Sequence, residues 1–146
     1  MNDSKKWERV NEVLAGTLYK KYPDQWQRVI GQDMCDIDGS FLGFVMTYKN
    51  LAELIPLDWT VYDFGCAYAP QAYYFRKHHR YVGIDSGVRE RFAFENTSHH
   101  SVPISEFLSR HATGKKEFAI CNFVPSHEVD LVKEKFKDLF IYYPQN

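Results

Sequence analysis

The spacing of apolar residues predicts helices in the first part of the chain. Over Ser4–Lys21, apolar side chains recur every three or four positions, as in an amphipathic helix that Ser4 caps. Gln25–Ile30 could add another turn. After a connector rich in Asp and Gly, the helical spacing returns over Phe41–Ile55. Because proline cannot continue a helix, Pro56 ends it.

From residue 60 onward, short β-branched and aromatic segments alternate with helical ones. The pattern predicts strands at Thr60–Phe64, Tyr81–Asp85, His99–Val102, Glu117–Phe123 and Leu139–Tyr143. It predicts helices at Pro70–His79, Val88–Glu95, Pro103–His111 and, after a Ser126 cap, Glu128–Lys137. Because each crossover must return across the sheet, such strands pair in parallel. We therefore expect an α/β, Rossmann-like, mostly parallel sheet of about five strands with helices on both faces, preceded by N-terminal helices.

Length and cysteine content indicate one small domain. With 146 residues, we expect a single domain made of an N-terminal helical extension (residues 1–40) and a core (residues 41–146). Three cysteines without CxxC spacing indicate neither a disulfide framework nor a zinc site. The N-terminus is too charged for a signal peptide, and no apolar run approaches the ~20 residues of a membrane helix. We therefore expect a cytoplasmic protein without a membrane segment.

Charge and aromatic content bear on the choice of partner. The formal net charge is −1, so a globally basic surface that would bind nucleic acid is not indicated. Aromatic residues make up 16% of the chain, which is unusually high. A core filled with bulky side chains explains this share, and a surface that binds a protein partner is the alternative.

The turn after the first predicted strand carries the main functional signal. It reads Asp63, Phe64, Gly65, Cys66, Ala67, Tyr68, Ala69. Small residues let the backbone bend sharply and approach a ligand closely. In parallel sheets, ligands bind outside the carboxyl ends of the strands, where the strand order reverses. The predicted helix that follows would offer unpaired N–H groups to an anion.

A second acidic residue closes the next predicted strand. Asp85 follows Gly65 by 20 positions (85 − 65). A carboxylate in that place can accept hydrogen bonds from the two hydroxyls of a ribose. A tight turn and a capping aspartate without any ligand would give the same pattern.

These segments resemble the class I S-adenosylmethionine-dependent methyltransferases. Val61–Ala69 is similar to that family's first motif, an acid followed by alternating glycines, and Tyr81–Asp85 is similar to its second. The resemblance implies S-adenosylmethionine as the cofactor, with Asp85 on its ribose. Asp63 would orient the loop or meet the cofactor amino group. The remaining loop residues beside the methionine moiety would be Gly65, Cys66, Ala67, Tyr68 and Ala69.

The chain departs from that family's pattern in three places. Ala67 and Ala69 replace glycines, and Tyr68 could either line the pocket or fill it. Pro103 occupies the position where the family often has an acid near the adenine amino group. The family usually continues with two strands beyond the fifth, so we expect a trimmed core.

Residues for catalysis would lie at the end of the fourth predicted strand. Methyl transfer needs an in-line nucleophile, exclusion of water and sometimes a base. Asn122 matches the first position of the Asn/Asp-Pro-Pro-aromatic motif of amino-methyltransferases, but the later positions do not match. Asn122 could instead satisfy loop backbone at a strand end. His127 could act as a general base, or it could be a surface histidine in a first helical turn.

Other chemistries find little support in the spacing. The adjacent pairs His78-His79 and His99-His100 would point apart, so we expect no metal site. Cys66 and Cys121 end neighbouring strands and could approach each other, although buried unreactive thiols are the simpler interpretation. The chain has no Gly-Lys-Ser/Thr phosphate loop, and no Ser-His-Asp arrangement follows from the spacing.

Three functions are compatible with the sequence. The first is a small S-adenosylmethionine-dependent methyltransferase whose substrate is unknown. The second is a catalytically inactive Rossmann-like module that acts through protein–protein contacts. The third is a Rossmann domain for another nucleotide, for which the missing glycine makes a dinucleotide the poorest guest.

Overall fold

Parallel strands form the centre of the structure, a computed structural model that describes residues 39–87, 91–111, 114–136 and 141–144. The strands are β1 Thr60–Phe64, β2 Arg80–Ile84, β3 Thr97–His100, β4 Glu117–Ile120 and β5 Ile141–Tyr142. They lie in the order β3-β2-β1-β4-β5, and every neighbouring pair is parallel. The predicted α/β class and the five-stranded parallel sheet are thus confirmed.

Helical segments cover both faces of the sheet. They are α1 Gly39–Leu54, a 3-10 helix Pro70–Phe75, α2 Ile104–Arg110 and α3 Ser126–Lys133. The first two pack on one face, and α2 and α3 pack on the other. The helices predicted at Ser4–Lys21 and Gln25–Ile30 lie outside the described residues, and the boundary at residue 40 stays a prediction. Of the helices that are described, none is both long and apolar enough to span a membrane.

Each face of the sheet carries its own apolar core. Successive residues of a strand point to opposite faces. Along β1, Val61 packs toward α1 and the 3-10 helix, whereas Tyr62 and Phe64 pack toward α2 and α3. Because burying a side chain as large as that of Phe64 contributes about 1.5–3 kcal/mol, both cores hold the central strand in place.

The sheet separates two free cysteines. Cys66 belongs to the core beside α1, and Cys121 belongs to the core beside α2 and α3. Both thiols are buried. The two side chains therefore do not meet, although their places at the ends of neighbouring strands made an approach conceivable.

The helix predicted over Pro70–His79 is a 3-10 helix that ends at Phe75. Asn96 accounts for the early end, because its side-chain amide donates to the carbonyl oxygens of Phe75 (2.8 Å) and His78 (2.9 Å). The Phe75 carbonyl also accepts the backbone N–H of His78 (3.0 Å), so a single turn follows the helix, and Asn96 binds both carbonyls of that turn.

The helix predicted over Val88–Glu95 is absent from residues 91–95, the part of it that the structure describes. There, Phe92 donates its backbone N–H to the carbonyl oxygen of Tyr68 (2.8 Å). The backbone N–H of Phe94 goes to Thr97 Oγ1 (2.8 Å). A tertiary partner and a local side chain thus take the donors that a helix would have used.

The strand bounds differ from the predicted ones in several places. β3 begins two residues early, because Thr97 already pairs with Tyr81 of β2. β4 ends at Ile120 rather than at Phe123, because the chain turns at Asn122 and leaves Phe123 62% exposed. β2 begins and ends one residue earlier than predicted.

The start of α3 also differs. Pro125, not the predicted Ser126, is the N-cap residue. Its carbonyl oxygen accepts the backbone N–H groups of Glu128 (2.9 Å) and Val129 (3.0 Å). Ser126 is the first residue of the helix and makes no side-chain cap.

We expect Gly83→Ala to destabilise the protein by about 1–3 kcal/mol. A methyl group at Gly83 would lie 2.6 Å from His99 Cδ2 and 2.8 Å from Cys66 Sγ, so both side chains would have to move in a filled core. Urea denaturation followed by circular dichroism measures the change. The control is Gly114→Ala, whose methyl group would lie 3.5 Å from Glu117. Equal stability of the two variants would contradict this packing.

Candidate functional site

The strand order reverses between β1 and β4, and the segments that follow these strands meet there. Gly65, directly after β1, has a φ of 72°, in the region that favours glycine. A side-chain carbon at Gly65 would lie 3.4 Å from both the carbonyl oxygen of Phe123 and Cγ2 of Val124. The turn after β1 therefore packs against the segment after β4, at the crevice where parallel sheets bind ligands.

Two alanines of this turn have left-handed backbone conformations. Ala67 has a φ of 51° and Ala69 a φ of 57°. The turn is closed by hydrogen bonds from the N–H of Gly65 to Ile84 O (2.8 Å) and from the N–H of Ala69 to Cys66 O (2.9 Å). A residue with a Cβ is destabilised by roughly 1 kcal/mol in the left-handed conformation. Contacts with surrounding residues must therefore stabilise the turn.

Asp85 lies directly beside the turn. Its Oδ2 accepts the backbone N–H of Ala67 (2.9 Å), and its Oδ1 accepts that of Gly87 (2.8 Å). A carboxylate oxygen can accept two hydrogen bonds, and the Asp85 side chain is partly exposed, so acceptor capacity remains on both oxygens. The structure thus joins the two segments that the sequence singled out.

Asp63 lies beneath the turn and is fully buried. Its Oδ2 accepts hydrogen bonds from the Tyr81 hydroxyl and from Gln71 Nε2, the latter at 2.8 Å. The same Gln71 nitrogen donates to the carbonyl oxygen of Cys66 (3.1 Å). Gln71 therefore ties Asp63 to the turn backbone, which gives Asp63 a means of orienting the loop.

Burial raises the pKa of Asp63 to about 7, because the charged form is poorly solvated. Hydrogen bonds from Tyr81 and Gln71 oppose this rise, and the nearby charge of Asp85 adds to it. Asp63 Oδ1 has no donor in good geometry among the described residues, although the Tyr48 hydroxyl lies close enough to lower the pKa. Both forms of the carboxyl are therefore accessible near neutral pH.

Cys66 and Tyr68 face inward. The Cys66 thiol is buried, and burial raises its pKa well above the ordinary value, so it is neither exposed nor a ready thiolate. The Tyr68 ring is partly buried and packs against the same core. Both side chains support the turn from its inner side.

Sequence reasoning missed Arg91 and Gln71. The Arg91 side chain is buried, and its Nη2 donates to the carbonyl oxygen of Asp85 (2.6 Å). Nothing in the sequence distinguishes Arg91 from a surface arginine. Gln71 offered a signal, because it is the one polar residue in the apolar run Pro70–Phe75.

The segment after β4 borders a cavity. Asn122 is partly buried and lies close to the Tyr48 hydroxyl. It also lines a cavity of about 760 Å³ together with the start of α3 and the residues Tyr143 and Pro144 that follow β5. His127 is exposed in the first turn of α3. The fold thus brings Asn122 to the same edge as Gly65 and leaves His127 at the surface.

His78 and His99 are the more buried members of the two histidine pairs. Burial lowers the pKa of His99 to about 4, with smaller effects from Arg91 and His100, so its ring is neutral at pH 7. Burial also lowers the pKa of His78, whose Nε2 lies 3.0 Å from the carbonyl oxygen of Ile55. Within the described ranges, no three His, Cys, Asp or Glu side chains are grouped so as to hold a metal ion.

No protein-family model matches the chain, and no curated protein matches it. A solved structure of the bifunctional kinase-methyltransferase WbdD is similar with 20% sequence identity and a TM-score of 0.42. The match covers 66% of this chain and 26% of that one.

We expect Ala67→Gly to stabilise the protein by up to about 1 kcal/mol, because it relieves the left-handed conformation of an exposed residue. Ala69→Gly is the matched control. There the relief is offset by the loss of a fully buried methyl group, worth about 0.8 kcal/mol. Thermal and urea denaturation measure both, and an Ala67→Gly variant no more stable than Ala69→Gly would refute the expectation.

Asp63 makes stability depend on pH. Its pKa is about 7 in the folded protein, above the ordinary value of about 4 expected for the unfolded chain. Between these values the folded state binds more protons, so the stability present at pH 4 is lost as the pH rises through 7. Asp63→Asn should remove this loss, which is roughly 4 kcal/mol.

Urea denaturation at several pH values between 4 and 8 measures this effect. Asp58→Asn is the control, because Asp58 is exposed and accepts a hydrogen bond from Lys116 Nζ (2.7 Å). It should keep the pH dependence of the unmodified chain. An Asp63→Asn variant with the same dependence as the unmodified chain would show that this carboxyl is ionised throughout.

Proposed function

We propose that this chain binds S-adenosylmethionine at the turn Gly65–Ala69 and Asp85, as a small methyltransferase-like protein. The observation that carries the proposal is the 2.9 Å hydrogen bond between the Ala67 N–H and Asp85 Oδ2. It places the two motif-like segments side by side at the edge where the strand order reverses.

The residues present fit an adenosyl group. Asp85 keeps free acceptor capacity for ribose hydroxyls, since each oxygen accepts one main-chain N–H in the structure. Ala67 is exposed, and the turn has left-handed backbone at Gly65, Ala67 and Ala69. The alanine methyl groups thus leave the tight bend intact. When bound, the cofactor would supply an electrophilic methyl group.

The neighbouring segment supports a place for an acceptor. Asn122 lies at the same edge and lines the cavity beside the start of α3, so we propose it as the group that hydrogen-bonds the acceptor. The cavity, about 760 Å³, is within the usual range of small-molecule sites. His127 is the candidate base on the same helix start, although its exposed position leaves it more hydrated than Asn122.

A second candidate function is a catalytically inactive module that acts through protein–protein contacts. Two observations favour it. Main-chain N–H groups of Ala67 and Gly87 each donate to an Asp85 oxygen, so Asp85 has a structural role in the turn. Phe123, at the rim of the same edge, is 62% exposed. If catalysis has been lost, this exposed surface would carry the function by binding a protein partner.

Isothermal titration with S-adenosylmethionine and S-adenosylhomocysteine tests the proposal. We expect micromolar binding of both ligands, weakened about tenfold to hundredfold by Asp85→Ala, which removes hydrogen bonds to a charged acceptor. The turn should survive, because the exposed Ala67 and the exposed Gly87 can bind water instead.

Asp58→Ala is the matched control, since Asp58 is an exposed aspartate that pairs with Lys116. It should bind both ligands as the unmodified chain does. If neither ligand binds to folded protein, the cofactor proposal fails and the inactive module is the better interpretation. Recovery of a defined protein partner that Phe123→Ala abolishes would then support it.

A further inference from the structure

Two carboxyl groups flank the proposed cofactor turn. Asp63 lies beneath it and is bonded through Gln71 to the Cys66 carbonyl, whereas Asp85 lies beside it and is bonded to the Ala67 N–H. The two acids are close enough for the charge of Asp85 to affect Asp63. A ligand at this turn would therefore sit in the field of both groups.

Every element around Asp63 contributes a titratable or polar group. They are Tyr48 of α1, Gln71 of the 3-10 helix, Tyr81 of β2, Cys66 of the turn, Asp85 after β2 and Cys121 after β4. Burial raises the pKa of the phenols of Tyr48 and Tyr81, so both are neutral at pH 7. Arg91 brings a positive charge near Cys66 and His99. Among these neighbours of Asp63, Asp85 therefore carries the negative charge.

We propose that Asp63 selects for positively charged ligands at this turn, because binding of a cation drives the buried carboxyl to release its proton. The inference rests on the proposed function and states which ligand charge that site prefers. A sulfonium ligand would be preferred over the matching thioether, and increasingly so at higher pH. Asp63 acts here as a specificity-determining residue that does not itself touch the ligand.

The physical basis is the poor solvation of the carboxylate. Asp63 has no contact with solvent, so a positive charge placed at the turn is weakly screened from it. Attraction to that charge lowers the pKa of Asp63 from its value near 7 in the free protein. Between the bound and the free pKa, the free protein carries more protons than the complex. Cation affinity therefore rises with pH through this window and levels off above it.

Proton release on binding gives a direct test. Titration with S-adenosylmethionine in phosphate and in imidazole buffer at pH 6.5 should show release of about half a proton by the unmodified chain. Its affinity should rise about threefold to tenfold from pH 6 to pH 8. S-adenosylhomocysteine keeps the α-ammonium group but lacks the sulfonium charge, so it should show less of both.

The variant Asp63→Asn isolates the effect. The ligand's own α-amino group titrates near pH 8, but it is present with either protein, so only the difference between the two proteins counts. The variant should bind the two ligands with similar pH dependence and without the extra proton release. Asp58→Asn makes the same side-chain substitution at an exposed position and should behave like the unmodified chain.

Tyr81→Phe provides a second readout should Asp63→Asn fail to fold. It keeps the carboxyl but removes the hydroxyl that stabilises its charged form, so the pH window should move upward. If S-adenosylmethionine binds but proton release is the same with and without the Asp63 carboxyl, the inference is wrong while the cofactor site stands. If neither ligand binds at any pH, the proposed function and the inference fail together.

Discussion

The buried side-chain carboxyl group of Asp63 holds together the segments at the C-terminal ends of the parallel strands. Asp63 ends inside the protein, and buried polar groups are tolerated only where hydrogen bonds replace water. Tyr81 supplies one such bond from β2, and Gln71 supplies another from the 3-10 helix. Gln71 also donates to the Cys66 carbonyl. The hydrogen bonds that this one buried carboxyl requires therefore hold a strand, a helix and a turn in fixed positions relative to each other.

The parallel sheet places this arrangement where a ligand can use it. β1 is the central strand. The chain adds β2 and β3 on one side of it and β4 and β5 on the other, so the strand order reverses beside β1 and a crevice opens at its carboxyl end. Gly65 lines the crevice with backbone atoms only. A side chain there would be crowded, because Phe123 and Val124 of the segment after β4 pack closely against it. Asp85 then borders the crevice from the β2 side. The polar network below and the packing above thus act on the same five-residue turn.

Local sequence predicted the elements whose causes are local. Thr60–Phe64 is a strand as predicted, because a β-branched and aromatic run is bounded by a proline-containing loop and a glycine. The segment around Phe92 was mispredicted as a helix because its N–H binds Tyr68, a partner that no local pattern reveals. For the site, the spacing indicated Asp63, Gly65 and Asp85. Arg91 escaped notice because its burial depends on distant parts of the chain.

The hydrogen bond between the Asp85 side chain and the Ala67 N–H also affects the kinetics of ligand binding. This bond and those of Gly65 and Ala69 fix the backbone of the bend. A preorganised bend loses little conformational entropy on association, and encounter need not wait for a loop to close. Recognition at such a rigid edge is then governed by the fit of the incoming molecule, and residence time, more than arrival rate, would distinguish one guest from another.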